Sequence, residues 1–128
     1  MAITATITKN LTAGGSSISG SYTASGGLLQ EYSEAIGADD VDTLVAGEID
    51  VSQLQAWIIK CDTGVTVETN SGSSPADTIT ITANRPQMWD TLDGTVNPLT
   101  TDVTAFYITE NDSTAGTLQM MFLIDPTV

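Results

Sequence analysis

The sequence predicts an all-β chain: an antiparallel β-sandwich, jelly-roll-like or Ig-like, of about eight strands with one long ordered loop. Three observations predict it. Threonine alternates with aliphatic residues in Ile3-Thr4-Ala5-Thr6-Ile7-Thr8, in Val65-Thr66-Val67-Glu68-Thr69 and in Thr78-Ile79-Thr80-Ile81-Thr82. A period of two sends successive side chains to opposite faces of a strand, so one face is buried while the Thr face stays wet. Between such runs lie turns rich in Gly, Ser and Asn, which accept turn geometry. Finally, two segments, Leu54–Cys61 and 120–124, carry apolar residues in succession, as central strands covered on both sides do.

Taken in order, the strands are expected at 3–9, 18–23, 41–46, 54–61, 65–69, 78–83, 103–109 and 117–125. Ala13-Gly14-Gly15-Ser16 separates the first two, and Ser25-Gly26-Gly27 follows the second. Leu28–Ile36 fits either a helical face, with Gly37 just past its end, or a bent strand. Gly26-Gly27 before it supplies no good cap, and consistency with the surrounding strands favours the bent strand. Asp50-Val51-Ser52-Gln53 reads as one helical turn leading into the Leu54 strand. Asp62-Thr63-Gly64 joins two strong strands with a length that suits a bulged hairpin. The segment 86–101 reads as the long loop, with Met88, Trp89, Leu92, Val96 and Leu99 as apolar anchors. The termini, 3–8 and 117–125, are candidate edge strands whose unpaired backbone can receive another chain.

At 128 residues the chain reads as a single domain, 1–128, that buries about two thirds of its unfolded surface without needing staples. Its three cations (Lys9, Lys60, Arg85) face 16 carboxylates, for a net charge of −13. Phosphate recognition needs clustered Lys and Arg, so no nucleic-acid partner is expected, and an anionic membrane would repel the chain. One cysteine, Cys61, permits no internal disulfide. The start of the sequence lacks the basic and apolar regions of a signal peptide, and no apolar run is long enough to span a bilayer.

The chemistry-bearing residues are few. With no histidine, the usual general base, the familiar Ser and Cys nucleophile systems and the commonest transition-metal ligand are all missing. Cys61 falls on an apolar strand and reads as a buried structural thiol. Asp39, Asp40 and Asp42, Asp90 and Asp93, and Glu110 with Asp112 are the paired acids that a glycosidase or a calcium site would need. They sit in turns without the spacing of a calcium loop, so no metal, cofactor or catalytic residue is expected. Trp57 is expected in the core. Trp89 is expected under the long loop or at a subunit contact, in preference to a sugar-stacking platform.

The order Ile49-Asp50-Val51-Ser52-Gln53-Leu54, Trp57-Ile58-Ile59, Val65-Thr66-Val67-Glu68-Thr69-Asn70, Asp77-Thr78-Ile79-Thr80-Ile81, Pro86-Gln87-Met88-Trp89, Asn97-Pro98 and Val103-Thr104-Ala105-Phe106-Tyr107-Ile108-Thr109 resembles small virion proteins of tailed bacteriophages. The resemblance covers roughly residues 45–125 and implies a head decoration or cement protein, not an enzyme. Such a protein binds the outer surface of the head and stabilises contacts between capsomers. It is made in the host cytoplasm and resides on the virion. The partners implied are the major capsid protein and further copies of the chain, as an oligomer such as a trimer. The residues expected to meet a partner are Ile3, Ile7, Met88, Trp89, Leu92, Met120 and Phe122. The alternative reading is a tail- or fibre-associated module that binds a host glycan or receptor.

Overall fold

A computed structural model of the chain describes residues 2–127. They carry ten strands: β1 (Ile3–Ala13), β2 (Ser16–Gly26), β3 (Leu28–Ile36), β4 (Thr43–Ile49), β5 (Leu54–Cys61), β6 (Val65–Thr69), β7 (Thr78–Ile81), β8 (Gln87–Asp90), β9 (Val103–Glu110) and β10 (Gly116–Ile124). A 3-10 turn at Val51–Gln53 precedes β5, and the Asp50 carboxylate accepts from the Ser52 amide to cap it. Two four-stranded sheets, in the orders β3-β10-β5-β8 and β4-β9-β6-β7, face each other, and every pairing is antiparallel. β1 and β2 pair only with each other, as a long hairpin.

The alternation in the sequence maps onto this directly. In β6 and β7, Val65, Val67, Ile79 and Ile81 point inward and are buried, while Thr78 and Thr80 stay wet. Trp57, Ile59 and Phe122 line the opposite wall, and Phe106 and Ile108 complete the β9 side. At the centre Phe106 and Phe122 stack with ring centroids 5.6 Å apart. Tyr32 meets both edge-on, at 5.8 and 6.0 Å. This aromatic trio joins the two sheets, an arrangement that suits the ring quadrupoles. β4 bends where Gly47 lies: a side chain there would collide with the Tyr32 hydroxyl, 2.6 Å from the Cβ position, and with the Phe106 ring.

Four expectations need correction. The Asp62-Thr63-Gly64 link makes no hairpin, because β5 and β6 belong to different sheets. Cys61 and Val65 supply opposite walls of the core, and the link's backbone bonds elsewhere: Asn84 N–H donates to the Cys61 carbonyl, and Asn111 N–H to that of Gly64. β10 is no edge strand, since it sits between β3 and β5. Its three successive buried residues, 122–124, are the mark of that central place. The long loop contains a strand, β8, which pairs Trp89 with Trp57 and Met88 with Ile58. Four residues after a proline, without alternation, give a period test too little to work on. Finally, β1 and β2 run well past residues 9 and 18 to a two-residue turn. There Gly14 and Gly15 take φ of 55° and 82°, the doubly positive geometry that matches strand twist.

The remainder of the long loop folds back onto the sandwich. Asn97 Oδ1 accepts from the Trp57 indole N–H at 2.9 Å and from the Leu99 amide at 3.0 Å, and Leu99 is buried in the core. Replacing Phe122 by alanine removes one ring of the trio and leaves a cavity. It is expected to cost about 3–5 kcal/mol of stability in chemical denaturation. A loss below about 1 kcal/mol would show that the aromatic stack does not hold the sheets together.

Candidate interaction surface

The first strand pair is an arm. Its odd-numbered β1 residues and their cross-strand partners share one face: Ile3, Ala5, Ile7, Lys9 and Leu11 with Ala24, Tyr22 and Ile18. The other face is a polar ladder in which Thr8 pairs with Ser21, and Ser17 bonds to both Asn10 and Thr12. The apolar face lies on the outside of the β3-β10-β5-β8 sheet. Ile7 and Ala24 bury there against Ala56 and Leu123, with Ile3, Ala5, Tyr22 and Leu29 around them.

The strand registers place the residues beneath the arm in one row across the sheet: Leu29, Leu123, Ala56 and Asp90. The arm follows that row. It begins where Gly26 lies against Leu123 and the Ile124 carbonyl, so close that a Cβ would sit 2.6 Å from that oxygen, and the Gly27 amide donates to the same carbonyl. It crosses β5 and reaches β8, where the Tyr22 hydroxyl donates to the buried Asp90 carboxylate at 2.7 Å. Just beyond, the Lys9 ammonium, 5.7 Å above the Tyr22 ring, pairs with Asp93. From there the hairpin leaves the sandwich past the β8 edge. Leu11 and Ile18, paired across the two strands on the body-facing side, are 73% and 82% exposed.

The next row on the same outer face, two residues further along each strand, is Glu31, Met121, Ile58 and Met88. The arm does not cover it: Met121 and Met88 are 42% and 39% exposed. A shallow depression of about 520 Å³ opens over this row and the polar residues beyond it, Ser33, Lys60 and Gln119. A smaller cleft, about 150 Å³, separates it from β1. The molecule thus carries an apolar face that outruns its seat, next to an apolar row with nothing seated on it among the described residues.

Among the residues expected to meet a partner, the structure sets Met88 and Leu92 in the open. Ile7 is buried under the arm and Ile3 packs beside it. Trp89 turns inward, half-buried, with its indole N–H on the Thr95 carbonyl at 2.9 Å. Met120 and Phe122 face the sandwich interior, so a partner of the folded chain cannot reach them. An apolar run shows that a strand is covered on both faces but does not say by what. Leu11, Ile18, Ile58 and Met121 were missed. Leu11 does continue the odd-numbered series Ile3, Ala5, Ile7 across Lys9, which was a usable signal.

The acids act as loop anchors. Asp40, Asp50, Asp62, Asp77, Asp90, Asp102, Asp112 and Asp125 each accept at least one backbone N–H, those of Gly37, Ser52, Thr117, Thr100, Leu92, Val51, Gly64 and Thr127. Among the described residues no three acidic, Cys or His side chains gather into a metal-binding group. The Cys61 thiol is buried beside the Thr63 hydroxyl, which donates to the buried Glu110 carboxylate at 2.6 Å. These three groups brace the β5–β6 crossover. No helix of the described chain is long and apolar enough to cross a membrane.

The chain matches no family model, no curated protein and no solved structure.

Two titrations report on the arm's attachment. The hydrogen bond to Asp90, with some desolvation, pushes the Tyr22 phenol up, against the opposing pull of Lys9. The bonds to Asp93 and Tyr22 push the Lys9 ammonium up as well. Groups raised in the folded state stabilise it fully below their unfolded values and lose that contribution as pH rises through the folded ones. The unfolded values are 10.0 for Tyr and 10.5 for Lys. The methyl resonances of Ile7 and Leu123 are therefore expected to hold still from neutral pH to pH 10.0 and to shift together above it. Constant shifts through the whole alkaline range would show that Lys9 and Tyr22 do not hold the arm.

Proposed function

We propose that this chain is a non-catalytic structural protein of a tailed phage, which binds the outer surface of the head and links neighbouring capsomers. The observation that carries the reading is the arm: a rigidly seated hairpin whose apolar face extends beyond its own domain and makes sense only against another subunit. An isolated two-stranded hairpin is at best marginal in water, so its outer half, Asn10 to Ser19, gains its stability in the assembled state.

The distribution of charge supports the same reading. All 16 carboxylates lie from Glu31 onward, and the first 26 residues contain Lys9 as their one charged side chain. The acidic body repels nucleic acid, while the arm offers a neutral contact. The glycan-binding alternative has little on its side. Trp57 is buried and Trp89 points inward, so neither indole offers a face on which a sugar can stack.

Mixed with purified phage heads and sedimented, the chain is expected to pellet at a fixed ratio to the major capsid protein. Heads carrying it should release their DNA at a higher temperature than bare ones. Recovery with tails alone, or with neither part, would refute the head reading.

A further inference from the structure

We propose that the tip of the arm docks on the uncovered Ile58–Met88–Met121 row of a second copy of this chain, in a two-fold symmetric pair. The inference does not rest on the capsid reading, since such a pair forms in solution with or without a head.

The argument begins from geometry. The arm lies along one row of the outer sheet face and leaves past β8, the edge strand of that sheet. The vacant row lies beside the arm on that same face. A two-fold axis normal to the sheet, placed beside β8, sets the two β8 strands edge to edge and antiparallel. It also turns the second copy's arm to the other side of the first. Each overhanging tip then lies over the neighbour's vacant row, and the two β1 strands run side by side in opposite directions. Leu11 lies two residues, about 7 Å, beyond Lys9 at the sheet edge, which carries it past the neighbour's β8, about 4.8 Å away, to the gap between that copy's Met88 and Ile58. The contact is isologous, with tip on row and row on tip, so the pair closes and leaves no tip free to propagate a chain.

Chemistry points to the same occupant. The row to be covered continues the surface that already seats the arm's inner half, Ala56 and Leu123, so one apolar strip runs under both. Two methionines on the vacant row give an adaptable surface for Leu11 and Ile18. Charge selects against an alternative docking by acidic faces: the bodies repel, and the arm carries no acidic residue. Since the contact is apolar and the bodies are alike in charge, added salt should tighten the pair.

The test is sedimentation equilibrium of the intact chain from micromolar to millimolar concentration, at low and high salt. A monomer–dimer equilibrium that strengthens with salt is expected. A chain that stays monomeric throughout, or that forms trimers, would overturn the arrangement. Two variants then locate the contact: Leu11→Asp with Ile18→Asp removes the tip, and Met121→Glu spoils the row. All three positions are exposed, so each variant should melt close to the parent. Each alone is expected to weaken dimerisation by roughly tenfold or more. Their equimolar mixture should recover a heterodimer, because the intact tip of one then meets the intact row of the other. Unweakened variants, or a mixture no tighter than its components, would show that tip and row are not each other's partners.

Discussion

β10 serves two cores at once, and the rest of the molecule is arranged around that fact. Phe122 faces inward to stack on Phe106, while its neighbour Leu123 faces outward into the cluster under the arm. A strand with large apolar groups on both faces must be covered twice. One cover is the opposing sheet. The other has to be something laid across the outside, and the β1–β2 hairpin supplies it. Ala56 beside Trp57 on β5 repeats the same demand one strand over. The arm is therefore part of the packing scheme as well as a projection from it, and its inner half is fixed by the same burial that organises the sheet.

Much of the architecture could be read from the chain. β5 and β6 fall at the expected bounds, and Leu28–Ile36 is the strand that its lack of a helix cap favoured. What alternation cannot say is which sheet a strand joins. The link at Asp62 to Gly64 has the composition of a hairpin, yet it crosses between sheets, because long-range partners such as Glu110 and Asn84 claim its polar groups. The exposed apolar row is half legible in the sequence for a related reason. Met88 was found through its place in an apolar loop. Met121 was not, because its neighbours Met120 and Phe122 are equally apolar, and only the register decides which of the three faces outward. A one-residue difference in phase separates a core residue from an exposed one.

The acidic composition takes on a second meaning in the folded chain. A net charge of −13 invites a search for a basic partner or a cation. Most aspartates instead spend a carboxylate oxygen on a nearby amide, and Asp77 takes the amides of both Thr100 and Thr101. In a fold with little helix and many irregular connections, such side chains replace the backbone partners that turns lack. The body is acidic in part because its loops are tied this way. The arm needs no such ties, since its single turn is closed by two glycines, and it is free of acids accordingly.

The central seat of β10 also governs how the chain can mature during synthesis. β3 and β5 flank it without pairing to each other, so β3 gains its one strand partner, and β5 its second beside β8, only when this last strand of the sheet has left the ribosome. The arm's pairings are all local, but the seat that holds it, Ala56 with Leu123, is complete only when β10 arrives. A nascent chain therefore waits with β3 unpartnered and one side of β5 open, a state in which slow, distant closure exposes apolar surface to its surroundings. Chaperone demand should peak in that interval and vanish once the final strand slots between the two that await it.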